Sequence, residues 1–158
     1  MRYWLMKSEP AEFGIDDLAR APRRSTAWVG VRNYQARNFM RDNMRPGDRA
    51  FFYHSSCAAP GIAGIVEIVK PAYPDATQFN ADSKYFDPKA TLERPRWFNV
   101  EVRLVEKTRL ISLPELRMHH QLGGMRSLAR GNRLSITPVT AAEWNFILRL
   151  MKNPRVGL

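Results

Sequence analysis

The chain holds one cysteine, Cys57, among 158 residues. A lone thiol excludes an intrachain disulfide, and Cys57 stands in no CxxC spacing that would hold structural zinc. Histidine is almost as scarce, with three residues and His119-His120 as the only pair. Adjacent residues on a helix point about 100° apart, so the pair is expected at the surface rather than on a metal. No metal and no cofactor is expected. No window offers the uninterrupted apolar run of a spanning helix, and Met1 is not followed by the basic, apolar, small-residue order of a signal peptide. A reducing cytoplasm is the expected location, with no membrane partner. A GxSxG elbow is missing, and Gly61/Gly64 and Gly123-Gly124 fit neither a P-loop nor a dinucleotide fingerprint. Acidic residues are also short: 15 Asp plus Glu against 25 Lys plus Arg leave a net charge of +10. That balance favours a polyanion, and nucleic acid fits best. No repeat or low-complexity tract divides the chain, so one domain over residues 1–158 is expected, as a monomer.

The most informative stretch runs from Trp28 to Arg45, WVGVRNYQARNFMRDNMR. Gly30 can take backbone angles that other residues avoid, and Asn33 can cap the first free amides of a helix. Ala36, Phe39, Met40 and Met44 form one apolar stripe at helical spacing, and Pro46-Gly47 stops it. Arg37, Arg41 and Arg45 recur every fourth residue beside it. Like charges at that spacing cost a helix roughly 0.2–0.5 kcal/mol per pair, so helix formation alone would not select them. Either they are a solvated face balanced by Asp42, or they await an anionic partner.

Around this stretch the pattern predicts a strand over Arg2–Ser8, a short helix from Ile15 to Arg20, and loop at Pro22–Ser25. Asp48–His54 is apolar on both faces, as suits a strand covered on both sides or closed into a barrel. It should form a hairpin with Ile62–Lys70, in which Gly64 signals a bulge or a close backbone approach. Pro71–Arg96 carries four prolines and no sustained period, too long for an idle connection, with Tyr73, Phe79, Tyr85 and Phe86 packing it down. Trp97–Glu106 alternates cleanly, with Phe98, Val100, Val102 and Leu104 on one face. Ser112 and Thr140, each three residues before a glutamate, match the capping box and start two helices. Leu134–Thr137 supplies a last short strand before Pro138.

For chemistry, His54 near Cys57 is the only nucleophile-and-base arrangement in reach, and it is weak: a satisfied structural histidine at a strand end is the favoured reading. What remains is a basic surface interleaved with Trp4, Trp28, Tyr34, Tyr53 and Trp97. Rings flanked by cations suit an unstacked base, and rings in a core explain the same composition. Trp28, in a loop entering a helix, is the best placed to be outside the core.

RYWLMKSEP, WVGVRNYQARNFMR, FYHSSC, PGIAGIVEIV, YFDP, RWFNVEV and GNRLSITPVT, in that order, resemble the EVE domain family from Arg2 to Leu150. The resemblance implies an α+β, PUA-like fold: a small twisted β-barrel with peripheral helices, related to YTH and ASCH domains. It further implies a non-enzymatic reader of modified nucleic acid, DNA or RNA, with eukaryotic members associated with modified cytosines. The long basic N-terminal tail of those members is missing, which implies a bacterial cytoplasmic protein. Carried over residue by residue, Trp28 and Trp97 would wall an aromatic pocket, and Ser8, Asn33, Tyr34, His54 and Ser135 would meet the base edge. Lys7, Arg32, Arg37, Arg41 and Arg133 would hold phosphates. A YTH cage has a third tryptophan that this chain lacks at a matched place, which argues against methyl-adenine specificity. An enzyme acting on a modified nucleotide with His54 as base, or a protein-interaction module using the basic face, are the alternative readings.

Overall fold

The structure, a computed structural model, describes residues 1–153. Its strands are β1 (Tyr3–Ser8), β2 (Ser25–Ala27), β3 (Arg49–His54), β4 (Gly61–Pro74), β5 (Phe98–Ser112) and β6 (Ile136–Val139). They form one mixed sheet in the order β2-β5-β4-β3-β1-β6. β1 runs parallel to β3, and the other pairs are antiparallel. The helices are α1 (Pro10–Phe13), α2 (Ile15–Arg20), α3 (Tyr34–Asn38), α4 (Leu113–Arg117) and α5 (Ala141–Lys152). The expected α+β, PUA-like fold is found, barrel-like and twisted, though among the described residues the ladder does not close between β2 and β6.

Alternation along the central strands explains why both faces are apolar. Trp4, Met6, Ala50 and Phe52 pack with α2, α3 and Trp28, whereas Leu5, Phe51 and Tyr53 pack with α4 and α5. Each face therefore has its own core. Trp144 anchors α5 by stacking on Phe51 at 4.0 Å and Tyr3 at 4.6 Å. The capping box at Thr140 is complete: its hydroxyl accepts from the Glu143 amide at 3.1 Å, and its own amide donates to Glu143 at 2.9 Å. At Ser112 only the first half forms, because the Glu115 carboxylate is drawn to Arg109.

Several elements differ from expectation. The arginine helix is α only to Asn38 and continues as a π-helical turn over Phe39–Asn43, with the Met44 amide donating to the Phe39 carbonyl at 2.9 Å. The apolar stripe survives, since Ala36, Met40 and Met44 are buried. The basic one does not: Arg41 turns to Asp42, and Arg45 lies beyond the helix end. β4 runs on to Pro74 and β5 to Ser112, both longer than their patterns. Ser25–Ala27, read as loop and its edge, pairs with β5, and the last strand lies two residues later and includes Pro138, tolerated because β6 is an edge. His119, expected at the surface, is buried edge-on against Phe146 at 5.2 Å.

Gly64 makes the close approach its position signalled. A Cβ there would lie 2.7 Å from the Ile15 Cδ1 and 2.8 Å from the Glu106 carbonyl oxygen. Gly64→Ala should therefore cost about 1–3 kcal/mol by overpacking, read as a lower urea midpoint with an unchanged slope. An unchanged midpoint would mean that α2 does not press on β4 in solution.

Candidate nucleic-acid interface

At one end of the sheet the parallel strands β1 and β3 finish side by side, and the antiparallel β6 begins. The Ser55 amide donates to the Ser8 carbonyl at 3.0 Å, and the Lys7 amide to the Ser135 carbonyl at 2.8 Å. Around this convergence opens a cleft of about 840 Å³, within the size range of ligand sites. Lys7 and Ser8 line it from β1, Glu9 from the link to α1, Glu12 and Phe13 from α1, and Ser55 and Ser56 from the turn after β3. The segment Thr26–Arg32, the pair Lys84 and Tyr85, and Asn132, Arg133 and Ser135 complete the wall.

Trp28 is held in that wall from two sides. Its amide donates to the Val100 carbonyl at 2.8 Å, extending the β2–β5 ladder, and its ring meets Phe52 edge-on at 5.4 Å. The indole Nε1–H has no hydrogen-bond partner among the described residues. Trp28 is not outside the core as expected: it is 7% exposed and packs in the same cluster as Trp4, Met6 and Phe52, and the edge it leaves uncovered lines the cleft.

The loop after Trp28 is fixed by a carboxylate far away in sequence. Asp75 is fully buried; its Oδ2 accepts from the Gly30 amide at 2.8 Å and from Arg32 at 3.2 Å, and its Oδ1 accepts from Thr77. Burial alone would raise this carboxyl, but the hydrogen bonds from Thr77 and Gly30 and the Arg32 charge outweigh it and hold it below the usual range. Gly30 has φ +86°, and a Cβ there would sit 2.6 Å from the Tyr85 ring, so only glycine fits. Arg32 spends all five of its N–H donors inside the protein, on Tyr85 O, Val31 O, Asp75 and Thr77. Its guanidinium lies 5.4 Å from the Tyr85 ring centroid and 5.3 Å from that of Trp97. Arg32 thus shapes the wall and has no donor left for a phosphate.

Of the residues singled out from the sequence, the cleft gathers Lys7, Ser8, Trp28, Arg32, Arg133 and Ser135. The others lie outside its lining. Trp97 does not face Trp28 across one opening: it is buried, donates through Nε1 to Asp87 at 2.8 Å, and stacks on the exposed Tyr34 at 4.8 Å. Asn33 is engaged as the helix cap, accepting from the Ala36 amide at 3.0 Å. Arg37 donates to the Arg96 carbonyl and to Asn38, and Arg41 to Asp42. His54 Nε2 accepts from the Ile15 amide at 3.1 Å, which requires the neutral ring, and burial lowers its pKa in the same sense.

Lys7 and Arg133 have no ion pair among the described residues, and burial lowers the Lys7 pKa. Tyr85, Lys84, Glu12, Ser55 and Ser56 were not singled out. Signals for all but Glu12 were present: YFDP and FYHSSC both stand among the family-like motifs, and the length of the proline-rich loop marked it as more than a connection.

The EVE domain model matches residues 2–150, and the chain belongs to that family. Human thymocyte nuclear protein 1 is 45% identical over 165 residues, covering 94% of this chain and 73% of the human protein. Among solved structures, a protein from Pseudomonas syringae superposes with a TM-score of 0.90 at 51% identity, covering 94% of this chain and 99% of its own. Human THYN1, solved in complex with 5-methylcytosine containing DNA, superposes with a TM-score of 0.92 at 44% identity, over 97% and 99% of the two chains. The vertebrate relatives carry a nuclear protein's name, which overturns the expectation of a cytoplasmic location.

Asp75→Asn keeps the shape of the buried side chain and removes its charge. The loss should fall toward the lower end of roughly 3–5 kcal/mol, since Arg32 remains partly solvated. The carboxyl titrates below its ordinary value of 3.8 when folded, so its contribution is present above that pH and lost as pH falls through the lower folded value. Urea denaturation from roughly pH 5 to pH 2 should accordingly be flatter for the variant than for the wild type. Parallel curves would show that Asp75 is not a charged anchor.

Proposed function

We propose that this EVE-domain protein is a non-enzymatic reader that takes one unpaired or flipped modified base into the cleft beside Trp28. The observation that carries the reading is the Trp28 indole on the cleft wall with its Nε1–H unspent. A flat ring with one free donor suits a base, which offers a π face for stacking and acceptors along its edge. The hydroxyls of Ser8 and Ser135 stand at the same cleft for edge contacts, and Lys7 and Arg133 are the cations free to take phosphates. Asn33, Tyr34, His54, Trp97, Arg37 and Arg41 serve as scaffold around that site, with Arg32 holding its rim.

Support for the modified base comes from human THYN1, whose structure is a complex with 5-methylcytosine containing DNA. That makes 5-methylcytosine in DNA the first candidate ligand. Support for a reader over an enzyme comes from His54, the base an enzymatic reading would need, whose Nε2 is engaged by the Ile15 amide.

Trp28→Leu keeps an apolar side chain against Phe52 and removes the stacking face. It should weaken binding of an oligonucleotide carrying one 5-methylcytosine by about 1–3 kcal/mol, or roughly 5- to 150-fold, while the melting transition remains cooperative. Fluorescence anisotropy with methylated and unmethylated strands across a salt series measures this. Equal affinity of wild type and variant would remove Trp28 from the site.

A further inference from the structure

Glu12 puts a negative charge on the wall of a cleft read above as the site of a polyanion, in a chain of net charge +10. Its carboxylate is engaged through both oxygens: one accepts from the Lys84 ammonium, the other from the Tyr85 hydroxyl at 2.8 Å. A cation and a phenolic O–H converging on two oxygens of one anion would serve the non-bridging oxygens of a phosphate equally well. We propose that Lys84 and Tyr85 form a phosphate subsite, filled by Glu12 in the free protein and taken over by a backbone phosphate of the bound nucleic acid. This rests on the base-reading function proposed above.

The two halves of the contact are not equally fixed. Tyr85 is pinned twice, its carbonyl accepting from Arg32 at 2.8 and 3.1 Å and its ring lying against Gly30, which is itself tied to Asp75. The Lys84 ammonium lies 5.2 Å from the centroid of that ring. Glu12 instead sits on α1, a helix of 4 residues that buries none of them and has no side-chain cap. The Tyr85 half of the receptor is therefore set in place, the exposed Lys84 side chain is steered by its ring, and Glu12 is the part that can leave. Exposed ion pairs contribute little in water, so an incoming phosphate displaces the carboxylate at small cost. In the free protein the carboxylate screens Lys84 from other anions, which would favour ligands that also engage Trp28.

The test uses the full chain and a single-stranded oligonucleotide carrying one 5-methylcytosine, followed by anisotropy across a salt series. Glu12→Gln should bind roughly 2- to 5-fold tighter. Glu9→Gln removes the same charge from a cleft residue without an ion pair among the described residues, and should gain clearly less. Lys84→Gln should reduce the log–log salt slope by about 0.7 and abolish the gain from Glu12→Gln. Equal gains from the two glutamate variants, or an unchanged slope in Lys84→Gln, would overturn the proposal. A second arm titrates inorganic pyrophosphate and follows backbone amides by NMR. The Lys84 and Tyr85 amides should respond at lower concentration in Glu12→Gln than in wild type, and no response there would overturn the subsite. A pyrophosphate response without oligonucleotide binding would sink the base-reading function while supporting the anion site.

Discussion

Asp75 carries a full charge in an environment closed to water, and four hydrogen bonds from Gly30, Arg32 and Thr77 make that tolerable. A buried carboxylate without such partners would be expelled or neutralised. The loop after Trp28 and the loop that bears Tyr85 are therefore bound to one another through an ion neither can abandon. Gly30 lets the Tyr85 ring lie against the backbone, and Arg32 closes the arrangement by donating to the Tyr85 carbonyl. Trp28 is thereby set in the cleft wall before any ligand arrives, which spares a ligand the cost of ordering it.

The same network explains why net charge is a poor guide to the position of the site. Arg32, Arg37, Arg41 and Arg96 are close to aromatic rings, yet each is drawn into carbonyls or carboxylates of the chain itself. Trp97 belongs with them. It lies behind Arg32 and stacks on Tyr34, so it supports the rim without walling the opening. Within the cleft, the cations left for phosphates stand at the end of β1 and before β6, where Lys7 and Arg133 have no carboxylate among the described residues.

What could be read in the sequence was local. The Asn33 cap, the freedom needed at Gly30 and the Thr140 box depend on neighbours a few residues away or on one backbone angle, and they stand as expected; the close approach at Gly64 was signalled by a glycine inside a strand, although its partners Ile15 and Glu106 are distant in sequence. The π-helical turn escaped because Ala36, Met40 and Met44 keep the same spacing whether or not an extra residue is accommodated. His119 escaped because its burial depends on α5 docking Phe146 against it. Asp75 gave no signal, since its partners Gly30 and Arg32 lie 45 and 43 residues away. Trp28 and Trp97 look equivalent as flanked indoles, and only the long-range bonds of the intervening loop assign one to the cleft and the other to the support behind it.

The central claim is that a preformed cleft, with Trp28 fixed by the Asp75 network, receives the modified base. A crystal structure of the protein with a 5-methylcytosine oligonucleotide tests it most directly. The methylated ring should lie in the cleft against the Trp28 indole, between Ser8 and Ser135, with the bonds of Asp75 to Gly30 and Arg32 intact. A base seated instead on the Tyr34–Trp97 stack, with the cleft beside Trp28 empty, would contradict the account.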